Sequence, residues 1–174
     1  APDKPTEWID ITTAQQLVDL ANVEDKMSSD GKTNERTIAW SKNYKLANDI
    51  DYSTLPASYS NKTKTIGNLN HQFTGYFDGN GYEITGLTLS NRDSGIFGYI
   101  GSTGVVDGVT IRNANVLFSD NAGVLAYANY GVIKNCAVVN TNITADIGAV
   151  LGGMLSRNYG IVEDSYVLGG ALKS

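Results

Sequence analysis

A single cysteine, Cys136, rules out an internal disulfide, so no covalent staple holds this chain together. That fits a cytosolic protein, and equally an exported bacterial protein that relies on its core. A single histidine, His71, excludes the two-histidine zinc motif on one helical face. No GxSxG elbow accompanies it as a nucleophile, and it reads as an ordinary exposed residue of a polar loop. Lys and Arg number 13 against 18 Asp and Glu, for a net charge of −5, and no basic run occurs. Nucleic acid and anionic lipid surfaces are therefore not expected partners. No apolar run approaches the length of a membrane span. No signal peptide or sorting tail is visible, and the start, APDKPTEW, reads as a mature or excised boundary.

What is present is 174 residues, the size of one domain, with 41% apolar and 18% charged residues. A chain of that length can bury a core. Glycine is frequent, at 19 residues against 3 prolines. Ten tyrosines against four phenylalanines give an aromatic set suited to half-wet positions.

After a polar lead-in over residues 1 to 10, ITTAQQLVDLANVED combines a capping-box spacing (Thr12 or Thr13, with Gln15 or Gln16 three residues on) with one apolar stripe, Ala14, Leu17, Val18 and Ala21. These signals predict a helix from about residue 13 to 24. A polar loop with a short strand at Thr37 to Trp40 is expected next, then a strand and its exit in YKLANDIDYS, then a polar loop over 54 to 70. The organisation expected is a helix cap and polar loop over 1–43 and β repeats over 44–174.

From residue 73 short apolar alternations are separated by Gly, Asn and Asp. Four segments superimpose: Ile84-Thr-Gly-Leu-Thr-Leu89, Val106-Asp-Gly-Val-Thr-Ile111, Ile133-Lys-Asn-Cys-Ala-Val138 and Val162-Glu-Asp-Ser-Tyr-Val167. Their first residues lie 22, 27 and 29 apart. Three units share a longer header running from Gly95 to Gly104, Gly123 to Gly131 and Gly152 to Gly160, the last two ending in Asn-Tyr-Gly; the first is one residue longer between its glycines. A period of this length built from short strands means stacked coils. The LxxLxL signature of leucine-rich repeats is missing. The expected fold is all-β, a right-handed parallel β-helix of about four coils capped by the N-terminal helix, with equivalent residues stacked about 4.8 Å apart. The expected inner ladders are Ile84, Val106, Ile133 and Val162; Leu89, Ile111, Val138 and Val167; and Leu87, Val109, Cys136 and Ser165. The Gly/Asn/Asp position marks a bend that needs left-handed backbone, and stacked Asn or Asp can hydrogen-bond along the ladder. The last residues, Leu168-Gly-Gly-Ala-Leu-Lys-Ser174, show no cap, so further coils are expected.

YKLANDID, FTGYFDGNGYEITGLTL, GIFGYIG and the GVIKNC and GIVEDS units resemble the GLUG-motif proteins, large exported bacterial proteins. They are also similar to the non-catalytic β-helical region of streptococcal IgA-specific zinc metallopeptidases. The resemblance covers the chain from about residue 8 onward and is most specific between Tyr44 and Leu89. It implies the bacterial surface or secreted space, and a non-catalytic module for adhesion, binding or spacing within a longer chain, acting as a monomer there.

Asp78-Gly-Asn-Gly81 has the look of a calcium loop, but the EF-hand pattern requires Glu where Leu89 stands, so a tight turn is expected. Asp49-Ile-Asp51 offers paired carboxylates, and Asp78 and Asp107 are further carboxylates for glycoside chemistry if they converge; structural roles are expected for Asp49 and Asp51. Cys136 lies on an inner ladder and reads as inert packing. Tyr130 and Tyr159 occupy matching Asn-Tyr-Gly positions and form a candidate sugar-binding strip, with ladder packing as the alternative. Asn61-Lys-Thr and Asn142-Ile-Thr match the N-glycosylation pattern. No catalytic residue, metal or cofactor is expected. The expected partner is a host glycoprotein or glycan, the alternatives being a polysaccharide lyase or glycosidase and a structural spacer.

Overall fold

A computed structural model describes residues 2–56, 64–90, 95–118, 121–145 and 151–173. They form a β-solenoid of about four turns, built from parallel sheets. One face stacks Ile9–Ile11, Tyr44–Leu46, Tyr76–Asp78, Val105–Asp107, Val132–Lys134 and Ile161–Glu163 in that order. A second holds Ile50–Asp51, Glu83–Thr85, Thr110–Arg112 and the long strands Ala137–Ala145 and Tyr166–Lys173, joined on its flank by Thr88–Leu89 and Asn115–Phe118. The third stacks Phe97–Ile100, Ala126–Asn129 and Leu155–Asn158. The lead-in expected to be only polar thus supplies a strand, Ile9–Ile11, to the first face.

Two corners per coil carry the left-handed residues that the sequence pattern demands. Between the first and second faces these are Asn80, Gly108, Asn135 and Asp164; between the second face and its flank they are Gly86, Asn113, Asn140 and Gly169. Residues with a short polar side chain or none adopt this conformation at least cost, which explains the restricted choice.

The register corrects the expected superposition. Val106, Ile133 and Val162 form one inner ladder, but it is preceded by Phe77 and Tyr44, not by Ile84. Ile84 belongs with Ile111, Val138 and Val167, and Leu89 with Val116 and Ile143. The reason is that both corners of a coil produce the same aliphatic–x–Gly/Asn/Asp–x–x–aliphatic signature. Ile84 to Leu89 spans the second corner, whereas the other three hexapeptides span the first. In the first coil that corner is widened by the turn at Asn80 and Gly81. Val109, Cys136 and Ser165 do share a position; Leu87 instead shares one with Ala114 and Thr141. The longer first header has the same kind of cause: Ile100 pairs with Asn129, so the extra residues lie at the corner Gly101 to Thr103.

The large aromatic side chains of the interior lie in the first coils. Trp40, Phe73, Phe77 and Phe97 are fully buried, with Phe97 packed 5.2 Å from Phe73 and 5.3 Å from Phe77. Later coils fill the same positions with Val106 and Ile133 over Phe77, and Ala126 over Phe97.

Helix α1 spans Ala14–Ala21 and closes the first end. Thr13 is its N-cap and forms the capping box with Gln16. Its Leu17 and Val18 line one narrow gap with Tyr52, Ile66, Leu87 and Ile96 of the coil interior. The strand expected at Thr37 to Trp40 is instead a short helix, α2, Glu35–Ala39. The Asn34 side chain accepts from the Arg36 amide, and the Trp40 indole donates to the Leu20 carbonyl at 2.9 Å, fixing α2 beneath α1. That cap and that tertiary anchor override the β preference of Thr37 and Ile38.

Candidate functional site

Tyr130 and Tyr159 stand one above the other at the corner that follows the third face. Their rings stack with centroids 4.9 Å apart and planes 16° from parallel, and both are exposed. The corner is held from inside by an asparagine ladder. The Asn129 amide nitrogen donates to Asn158 Oδ1 at 2.8 Å, and Asn129 Oδ1 accepts from the Gly131 amide. Asn129 is fully buried. Gly131 and Gly160 are required beside it, because a Cβ on either would meet a backbone carbonyl oxygen of the previous coil at 2.2 Å. The three residues of Asn-Tyr-Gly therefore divide the work of the corner. The Asn is an internal bracket, the Gly allows close approach, and the Tyr is displayed.

Three residues that sequence reasoning did not single out extend this strip. The Tyr159 hydroxyl lies beside the Arg157 guanidinium and is the largest influence raising its pKa. The same guanidinium lies 5.6 Å from the Tyr127 ring centre, and Tyr127 meets Tyr99 edge-on at 5.2 Å. Among the described residues Arg157 has no carboxylate partner. The signal was available in the headers: AYANYG and LSRNYG superimpose, setting Tyr127 and Arg157 on the strand that leads into each displayed tyrosine.

A second polar cluster lies on the outside of the first face. Asp10, Lys45, Asp78, Asp107, Lys134 and Glu163 form one row, rung by rung. Asp78 and Asp107 are adjacent like charges, and the row compensates them. Lys4 reaches both, at 2.9 and 3.8 Å, and Lys134 lies 3.8 Å from Asp107. Tyr76 donates to Asp107 at 2.6 Å, Asn135 donates to it at 2.9 Å, and Trp8 packs edge-on against Tyr76. Burial is the largest influence on Asp107 and pushes its carboxyl up. The hydrogen bonds from Asn135 and Tyr76 and the charges of Lys134 and Lys4 outweigh it and hold the carboxyl below the ordinary Asp value. Burial also pushes the Tyr76 phenol up, so it remains a donor. The two aspartates are 6% and 4% exposed, and their oxygens are engaged by these neighbours.

The other residues marked in the sequence do not join these clusters. Asp49 accepts from the Glu83 amide, and Asp51 caps the turn Tyr52–Thr54 through the Ser53 amide. The Asp78–Gly81 segment is a turn closed by the Tyr82 amide on the Gly79 carbonyl, with φ positive at both Asn80 and Gly81 as in type I′. Its flanking strands pair with neighbouring coils instead of forming a hairpin. His71 is half-buried, not an exposed loop residue: one ring nitrogen meets Thr37 at 3.0 Å and the other lies 3.5 Å from Asp25. Cys136 is buried and its thiol is pushed up to about 12 by burial. Asn142 is exposed on its strand, while Asn61 lies outside the described residues. Among the described residues no group of three or more His, Cys, Asp or Glu is gathered for a metal. No helix there is long and apolar enough to cross a membrane.

Two relatives are similar to this chain. One is Halomucin of Haloquadratum walsbyi, 33% identical over 140 residues, covering 76% of this chain and 2% of that protein. The other is named as a Gly-rich membrane protein of Evansella cellulosilytica, 33% identical over 153 residues, covering 66% of this chain and 17% of that protein. The chain thus spans a small part of both. No protein-family model and no solved structure matches it.

Proposed function

We propose that this chain is a non-catalytic solenoid module of a surface-associated protein, and that its Tyr130–Tyr159 corner binds a glycan or glycoprotein. The observation that carries the reading is the exposed stacked pair on a corner bracketed by buried asparagine. Rigid aromatic rings lose little side-chain freedom on binding and offer flat apolar area to the C–H face of a sugar. The names of the two relatives, a mucin-like one and a membrane one, support a surface setting. The resemblance to GLUG-motif proteins belongs to the same proposal and adds a bacterial, exported context.

The test is a screen of the purified chain against an array of glycans and mucosal glycoproteins, IgA included, repeated with Tyr159→Ala and Tyr130→Ala. Saturable binding that weakens at least about tenfold in Tyr159→Ala, a change of roughly 1.4 kcal/mol, is the expected result. A clean negative at high concentration would favour a spacer. Binding unaffected by both substitutions would place the partner surface elsewhere.

A further inference from the structure

Among the described residues, Arg36 pairs with Asp25 at 3.0 Å and Arg112 with Glu83 at 2.8 Å, whereas Arg157 faces no carboxylate. Its surroundings are aromatic. The guanidinium lies 5.6 Å from the Tyr127 ring centre and beside the Tyr159 hydroxyl, and Tyr99 flanks Tyr127 at 5.2 Å. Tyrosine is neutral at physiological pH, so these rings orient the cation without neutralising it. Two aromatic columns therefore meet at one unpaired charge. Tyr99 and Tyr127 form the column on the third face, and Tyr127, only 6% exposed, serves as a support for the guanidinium. Tyr130 and Tyr159 form the displayed column at the corner. That display belongs to the corner itself, since Tyr130 is 40% exposed with Tyr159 already stacked over it.

Resting on the reading of the Tyr130–Tyr159 corner as a glycan site, we infer that its ligand is an acidic saccharide, with a sugar ring against the tyrosine pair and the sugar's carboxylate on Arg157. The planar guanidinium presents a fork of donors that matches a carboxylate with two parallel hydrogen bonds. The Tyr159 hydroxyl sets ring and guanidinium side by side, so one unit of a saccharide reaches both. A neutral sugar in the same place would cover the cation without pairing it, which costs affinity. The net charge of −5 gives no general attraction for an acidic ligand. Preference for acid therefore has to come from the local cation, and one substitution should remove it.

The test measures calorimetric binding of trigalacturonic acid against its methyl ester, which keeps the skeleton and loses the charge, and of sialyllactose against lactose, so that uronic and sialic acids are told apart. At least one acid is expected to bind at least about tenfold tighter than its neutral counterpart. Arg157→Gln should abolish that preference and leave the neutral counterpart unchanged, and Arg157→Lys, which keeps the charge without the fork, should retain only part of it. Thermal midpoints of both variants check that the fold is kept. Equal affinity for acid and neutral forms, still weakened by Tyr159→Ala, would overturn the inference and leave the corner as a glycan site. A preference for acid that survives Arg157→Gln would overturn it too, as would tighter binding of sulfated lactose than of either carboxylate. Acid binding unaffected by Tyr159→Ala would overturn the glycan reading of the corner itself. No binding of any of these probes would overturn the inference, while the wider array decides the corner separately.

Discussion

Leu87 sits one step before the Thr88–Asn115–Asn142 rung, so its side chain shares an inner position with Ala114 and Thr141. It is 2% exposed and lies against the α1 gap, where few atoms can move inward to fill a vacancy. Leu87→Ala should therefore cost about 2–5 kcal/mol of unfolding free energy, read from the midpoint of urea denaturation at constant slope. A loss under about 0.5 kcal/mol would contradict its placement. The inward orientation of this residue was legible from alternation with Thr88. Its ladder was not, because Gly86 and Gly108 carry the same left-handed φ at different corners. Local sequence encodes that a bend occurs; which bend it is depends on the partner coil, through pairing that a hexapeptide does not contain. Tyr130 and Tyr159 were legible for the opposite reason: the whole header repeats, so both position and stacking follow. Arg157 escaped because its role comes from the Tyr127 ring one coil away.

At the scale of elements, α1 was readable because its signals are local: a capping box within one turn of its start and an apolar stripe contained in the helix itself. Thr13 Oγ1 accepts from the Gln16 amide at 3.3 Å, and Gln16 Oε1 accepts from the Thr12 and Thr13 amides at 2.7 and 3.2 Å. The helix ends at Ala21, the last residue of its apolar stripe and short of the expected end near residue 24, where the Asn22 amide and side chain both bond the Val18 carbonyl. Helix α2 was unreadable because its decisive contact, Trp40 to Leu20, spans twenty residues. Since α1 is the lid on the aromatic end of the core, loosening its cap exposes apolar surface that no other element covers. Thr13→Ala should cost about 1 kcal/mol, within the range of roughly 0.5–2 for such caps. Thr13→Ser, which keeps the acceptor, should recover most of the loss. Equal losses in both variants, measured by thermal denaturation, would mean that the hydroxyl is not the stabilising group.

At the scale of the whole molecule, two electrostatic effects predict different responses to acid, and they act in separate pH ranges. The net charge is −5 and the isoelectric point near 4.7, so self-repulsion should ease as pH falls from 7 toward that value. The row on the first face acts lower down. Asp107 is held below its ordinary value in the folded state. A group with a depressed folded pKa contributes stability that is present above its unfolded pKa, about 3.9 for Asp, and is lost as pH falls through the folded value. Stability should thus stay level or rise slightly between pH 7 and 5, then drop below about pH 4. Glu83, lowered by its bond from Arg112, moves the same way. It is exposed enough for solvent to screen most of its contribution, so Asp107 should dominate. Asp107→Asn should cost about 1–3 kcal/mol at pH 7, the usual loss on removing a buried charged acceptor. It should also flatten the acid limb, because the group that titrates there is gone while Lys4 keeps Asp78 as its partner. Thermal midpoints of both proteins from pH 7 to 2.5 decide the matter. A variant whose midpoint falls as steeply below pH 4 as the parent's would place the acid sensitivity outside this row.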